Sequence, residues 1–185
     1  MAYYNDNQLR ELGFGHVGKN VKVSTLASLY DCDRISLGDN SRIDDFCVVS
    51  GKVEIGRYTH ITPFCLIAGG SEGVLLEDFT TCAYGVQLFS QSDDYSGKTM
   101  TNSQIPGKYK LEIKSQIKIK THSIIGARST ILPGVTLAEG TAIGAMSLVT
   151  RDTVPWGIYI GIPAVRVRNR DKDMKSLTEE FLGCE

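Results

Sequence analysis

The chain has 185 residues, with 20 Lys and Arg against 21 Asp and Glu and a formal net charge of −1. That balance offers no electrostatic footprint for nucleic acid or an anionic membrane surface. No apolar run approaches the roughly 18 residues of a membrane span and no N-terminal h-region is present, so a cytoplasmic chain forming a single domain, 1–185, is expected.

Residues 1–16 lack any repeat, and Gln8-Leu9-Arg10-Glu11-Leu12 reads as a short amphipathic turn that caps the first coil. From 17 to 154 an aliphatic residue recurs every six positions. Val17, Val23 and Leu29 start the series; after a slip of two it continues through Leu37, Ile43, Val49, Ile55, Ile61 and Ile67. A second slip surrounds Gly69 to Gly73, and Leu76, Cys82 and Leu88 resume the phase. After a longer break come Ile119, Ile125, Ile131, Leu137, Ile143 and Val149. Neither a 3.6-residue helix nor a two-residue strand alternation alone produces this period. The next residue is often small, as in Gly38, Gly56, Ala68, Gly126, Ala138 and Gly144. Four places after the aliphatic stands another small or β-branched residue: Ser41, Cys47, Thr59, Cys65, Ser71, Ser123, Ser129, Val135, Thr141, Ser147 or Thr153. Such a period predicts an all-β solenoid, the hexapeptide parallel β-helix. Three hexads would close a triangular coil with the aliphatics on its axis, and coils would stack about 4.8 Å apart.

The break at about 89–117 is polar, holds Pro106 and is too long for a bend; it predicts a loop extruded from the coil and carrying function. Residues 155–185 form a C-terminal extension with Pro155-Trp156-Gly157, Gly161-Ile162-Pro163-Ala164 and a basic run of Arg166, Arg168 and Arg170. Met174, Leu177 and Phe181 then mark one face of a short helix, with Asp173 as N-cap, expected to cover the open end of the solenoid. Trp156 and Tyr159 are expected to pack this tail, and Phe46 and Phe64 to stack at a bend. Among five cysteines without a CxxC pair, Cys47 and Cys65 fall in the small-residue slot and read as compact hydrophobes rather than metal ligands.

The stretch Ile125-Gly126-Ala127-Arg128-Ser129-Thr130-Ile131-Leu132-Pro133-Gly134-Val135-Thr136, with Ile143-Gly144-Ala145-Met146-Ser147-Leu148-Val149-Thr150-Arg151-Asp152 and Gly161-Ile162-Pro163-Ala164 after it, resembles the C-terminal half of the hexapeptide-repeat acyltransferases. That family includes galactoside, maltose and surface-polysaccharide acetyltransferases and nucleotide-sugar N-acyltransferases. The resemblance implies a left-handed parallel β-helix, an exception to the right-handed crossover rule. It further implies a homotrimer with active sites between subunits and an acyl-CoA co-substrate, acetyl-CoA or another short thioester, lying along the C-terminal coils. By position, Ala127, Ala145, Thr150 and Arg151 would line the pantetheine arm, and Arg168 would approach the nucleotide phosphates. Small side chains at the two alanines leave room for a thin chain, and arginine suits phosphate; read without the resemblance, these are also ordinary bend residues and surface charges.

Many galactoside-type members carry a histidine after a segment matching Gly85 to Ser92, where this chain continues Asp93-Asp94-Tyr95. A sugar hydroxyl needs a base such as histidine to attack a thioester, whereas a neutral sugar amine attacks without strong help. Asp93 and Asp94 would then orient the amine or hold its ammonium form, which favours a nucleotide-linked amino sugar destined for a surface polysaccharide such as lipopolysaccharide. As a structural alternative, the pair simply opens a polar turn. Should the acceptor be a hydroxyl, as in O-acetyltransferases, His122 is the alternative base, with His60 placed to face a neighbouring subunit; Tyr84 and Tyr95 could meet a sugar or base ring. A zinc site of the carbonic anhydrase kind would need the scattered His16, His60 and His122 to converge, so no metal is expected. A non-catalytic scaffold is the remaining alternative, against which the C-terminal motif argues.

Overall fold

The strand amides of a hexad need partners outside their own coil, because a strand of two or three residues can make no bond within itself. The computed structural model, which describes residues 2–184, meets this by stacking coil on coil into a parallel β-solenoid of about seven turns. Three parallel ladders form its faces. On the first face Val17, Leu37, Ile55, Leu76, Ile119 and Leu137 stand in register; on the second, Val23, Ile43, Ile61, Cys82, Ile125, Ile143 and Tyr159; on the third, Leu29, Val49, Ile67, Leu88, Ile131 and Val149. From Leu37 to Ile67 and from Ile119 to Val149, no residue of the aliphatic series is more than 3% exposed.

The sequence between faces makes three corners. Each regular coil turns on a residue in the left-handed region: Asn20, Asn40, Tyr58, Phe79, His122, Gly140 and Trp156 at the first corner, and Phe46, Phe64, Gly85, Arg128 and Met146 at the second. From Asn40 onward the amide of each such residue donates to the coil before it, as Tyr58 N does to Asp39 O at 3.0 Å and Phe64 N to Asp45 O at 3.2 Å. Apart from the half-buried Thr153, the small residues of the i+4 slot are buried at the bends, Cys47 and Cys65 included. Ser71 departs from that pattern and is exposed, because the Gly69–Gly73 segment loops outward at the third corner. Phe46 and Phe64 stack as expected, with centroids 5.2 Å apart.

The long break also leaves at the third corner. It departs through a short antiparallel pair, Gln91–Ser92 with Ile113–Lys114, and the solenoid resumes at Ile117–Ile119 directly on Val74–Leu76. Residues 93–112 thus project as a loop without disturbing the stack.

Both ends differ in detail from the sequence expectation. The N-terminal turn is a helix, α1 (Asp6–Glu11), closed by an Asn5/Gln8 capping box, and Leu9 is its buried residue. At the other end, Gly157–Ile160 extends the second face and pairs antiparallel with the exposed strand Val165–Asn169. The terminal helix α2 (Met174–Gly183) does not cover the open end. It lies along the first corner, with Phe181 edge-on to Tyr58 and Phe79 at 5.1 and 6.4 Å and Lys175 over the Trp156 ring at 5.9 Å. Its contacts go to the flank because stacked rings there offer apolar surface. Asp173 precedes it without a side-chain capping bond.

Since each ladder residue touches the coils above and below, Ile61→Ala should lower unfolding free energy by about 2–5 kcal/mol. Urea denaturation read by circular dichroism checks this, and a loss well under 1 kcal/mol would contradict a close-packed axis.

Candidate active site

The residues singled out from the sequence are spread over the three corners, the second face and the terminal antiparallel strand. At the third corner, Phe89, Gln91, Ser92, Asp93, Tyr95, Leu132 and Pro133 enclose a cavity of about 340 Å3 where the loop leaves the solenoid. Asp93 borders this cavity and accepts a hydrogen bond from Asn102 N at 3.2 Å. Asp94 accepts from Ser96 N at 2.8 Å, Ser96 Oγ at 2.9 Å and Thr99 Oγ1 at 3.1 Å. Those bonds, the Ser96 amide first, hold its carboxyl below the usual carboxylate range. An acceptor-only group of this kind can receive an ammonium or an N–H but is a poor proton acceptor near neutral pH. Tyr95 is almost fully exposed at the cavity rim.

Below the cavity on the same corner lie Thr150 and Arg151. Ile131 is in register with Val149, so Leu132 and Pro133 stand one rung above them. Both Thr150 and Arg151 are exposed.

The second corner carries Tyr84, Ala127 and Ala145 in successive coils. The Arg128 amide donates to Tyr84 O at 2.9 Å, and the Met146 amide to Ala127 O at 2.8 Å. Beneath the exposed Tyr84 ring the column thus presents two methyl groups, a shallow strip that a thin chain could follow. The third face separates this strip from the loop within one chain. Arg168 lies elsewhere again, in the terminal antiparallel strand, beside a cavity of about 330 Å3 shared with Ile158, Asn169, Arg170, Asp171, Asp173 and Met174.

Neither histidine reaches the loop corner. His60 projects from the second face, with Nε2 2.8 Å from Asp44 Oδ2. The Asp44 side chain is only 2% exposed and also accepts from Arg42 Nε at 2.6 Å and Tyr3 Oη at 3.3 Å. Burial pushes its carboxyl up, but the bonds from Arg42 and His60 outweigh burial and leave it below its ordinary value. His122 is buried at the first corner, stacked on Phe79 with centroids 5.4 Å apart and 6.2 Å from Trp156. Gly140 occupies the rung between His122 and Trp156, and a Cβ there would collide with the indole. Arg170 Nη1 binds His122 O at 2.8 Å and Gly140 O at 3.1 Å, fastening the tail to this corner. His122 therefore serves the aromatic ladder. Among the described residues no group of three or more His, Cys, Asp or Glu side chains is placed to hold a metal ion.

Two features escaped the sequence reading. The Tyr3–Arg42–Asp44–His60 cluster joins residues from three separate stretches and had no signal. The cavity wall did have one. Phe89 and Leu132 each follow an inward aliphatic, where the repeat otherwise favours small residues.

The family model of the bacterial transferase hexapeptide, six repeats, matches residues 34–69. A dTDP-4-amino-4,6-dideoxy-D-glucose acyltransferase of Escherichia coli is 41% identical over 184 residues, spanning 98% of this chain and 95% of its own. Among solved structures, AntD, an N-acyltransferase from Bacillus cereus in complex with dTDP and 3-hydroxybutyryl-CoA, superposes with a TM-score of 0.97 at 40% identity, covering 98% of this chain and 97% of that one. A mutant of AntD bound to dTDP-4-amino-4,6-dideoxyglucose and coenzyme A superposes with a TM-score of 0.98 at 40% identity, covering 100% and 99%.

Burial, the largest influence, holds the His122 imidazole below its ordinary value; Glu139 opposes this, while Lys175 and Arg170 reinforce it. A depressed folded value means that this group's contribution to stability is complete above about pH 6.5 and is lost as pH falls through the folded value. His122→Phe, which keeps a ring in the stack, should therefore show a smaller drop in Tm between about pH 7.5 and pH 5.5 than the unaltered protein. Equal drops in differential scanning fluorimetry would remove His122 from the acid response.

Proposed function

This chain belongs to the hexapeptide-repeat acyltransferases that use CoA thioesters, and from that premise we propose that it transfers a short acyl group to the amino group of a dTDP-linked amino-deoxyhexose. The observation that carries the reading is the end-to-end identity of 41% with an enzyme named for such a sugar. The loop corner supports it, because carboxylates stand there in place of a histidine.

In this reading the neutral amine attacks the thioester carbonyl carbon. A C–N bond forms, the C–S bond breaks, and the proton the nitrogen sheds is taken up by the departing thiolate, which leaves as CoA-SH. Asp93 at the cavity and the ionised Asp94 beside it accept N–H bonds from the incoming amine and aim its lone pair, which is the positioning part of the catalysis. A backbone amide polarises the carbonyl oxygen. Thr150 and Arg151 flank the pantetheine arm from the third corner, Ala127 and Ala145 from the second, and Arg168 takes a phosphate. Tyr84 stacks on a ring of the nucleotide, and Tyr95 covers the sugar.

Positions assigned to one cofactor molecule are split between two corners of a single chain. A homotrimer that sets the second corner of one subunit against the third corner of the next would bring them together, with His60 near that contact. The product would feed a surface polysaccharide such as lipopolysaccharide, and nucleotide sugars of this kind place the reaction in the cytoplasm.

Thiol release from acetyl-CoA and longer thioesters, measured against a panel of nucleotide-linked amino sugars and a panel of hydroxyl-only sugars, tests the reading. Turnover confined to amino sugars is expected; turnover on hydroxyl sugars would mean O-transfer and overturn the amine reading. Replacing both Asp93 and Asp94 by asparagine should lower kcat by about a hundredfold or more while CoA binding is retained. Unchanged turnover would take both out of the mechanism.

A further inference from the structure

The column of residues just outside the third face reads Tyr30, Ser50, Ala68, Phe89, Leu132, Thr150 from one coil to the next. Ser50 pairs with Ala68 and Ala68 with Phe89, while Leu88–Ile131 and Ile131–Val149 set Leu132 beneath Phe89 and above Thr150. Tyr30 heads the column three rungs above Phe89, and after it small side chains fill every rung except two. Those two, Phe89 and Leu132, stand at the mouth of the extruded loop, half-buried rather than packed into the axis. With Pro133 they make the apolar wall of the 340 Å3 cavity whose other side is Gln91, Ser92 and Asp93.

A cavity apolar on one side and acceptor-lined on the other suits two different reacting ends. The polar side has the donors and acceptors that an amino sugar needs. A thioester arm rising past Thr150 meets Leu132 on the next rung and Phe89 on the one after, two rungs or roughly 10 Å at the strand spacing. We propose that Phe89, Leu132 and Pro133 form the surface on which the acyl chain lies, and that Leu132 is a specificity-determining residue selecting acyl groups with an aliphatic tail over acetyl. The inference rests on the acyltransferase reading and adds to it which end of the cavity takes which reactant.

Each methylene laid on such a wall leaves water, worth roughly a fourfold gain in kcat/KM when fully covered. With a fixed amino sugar acceptor, acetyl-, propionyl- and butyryl-CoA should give a rising series in the unaltered protein, and Leu132→Ala should flatten it towards parity. Leu132→Val, a smaller truncation that keeps the rung filled, should give an intermediate slope and guards against loss of folding in the alanine variant. A flat or falling series in an unaltered protein that does turn over acetyl-CoA overturns the wall but leaves the acyltransferase reading intact. The same slope in Leu132→Ala as in the unaltered protein overturns the assignment to Leu132. Absence of turnover with every thioester and every amino sugar sinks both readings together.

Discussion

Coil-to-coil hydrogen bonding is the constraint on which this structure depends. Each strand is too short to satisfy itself, so the amides of one turn are met by the carbonyls of its neighbours, as in Leu66 N to Val86 O at 2.9 Å and Leu148 N to Gly161 O at 3.0 Å. Stacking like this works only if successive turns place equivalent residues above one another. That requirement puts Ile, Leu and Val on the axis and small residues in the slot beneath each bend. Even Cys82 obeys it, filling the axial position between Ile61 and Ile125. Burial pushes the Cys82 thiol up, while the hydrogen bond between Cys47 and Cys65 pushes Cys47 up and draws Cys65 down.

The same constraint decides where the chain is free to vary. A face cannot absorb an insertion without breaking three ladders, whereas a corner can, since only a bend must be remade. Both large departures from the period, at Gly69–Gly73 and at 93–112, lie at the third corner. The regular first corner became a column of rings instead, Tyr58 on Phe79 at 5.0 Å and Phe79 on His122 at 5.4 Å, and the tail docks against it. One corner thus holds the C-terminus in place, and another supplies the loop and its cavity.

Chemistry at the loop depends on what kind of proton transfer is needed. A carboxylate whose oxygens are already engaged by Ser96 and Thr99 cannot deprotonate a sugar hydroxyl, but it can align an amine that is already neutral. The relatives named for dTDP-amino sugars agree with that distinction. Histidine, the residue otherwise expected to act as base, is found in structural settings: His122 within the ring column and His60 bound to the buried Asp44.

How much of this was legible depends on whether a property repeats along the chain or arises between distant parts of it. The period of six determined the solenoid, its axial residues and the Phe46–Phe64 stack, because each coil imposes the same burial pattern on its own stretch of sequence. The long polar break marked the extruded loop for the same reason, and Asp93-Asp94 at its start could be read directly. Tertiary structure decided the rest. Only the closed coil sends Tyr84, Ala127 and Ala145 to one corner and Asp93, Thr150 and Arg151 to another, since the period is identical on all three faces and does not name the corners. Helix α2 was legible as a helix from Met174, Leu177 and Phe181, but its place on the flank was set by the rings of Tyr58 and Phe79, a surface assembled from distant coils. His122 looked available because a single residue carries no sign of its burial; Phe79, Trp156 and the tail supplied that only once the coils had stacked.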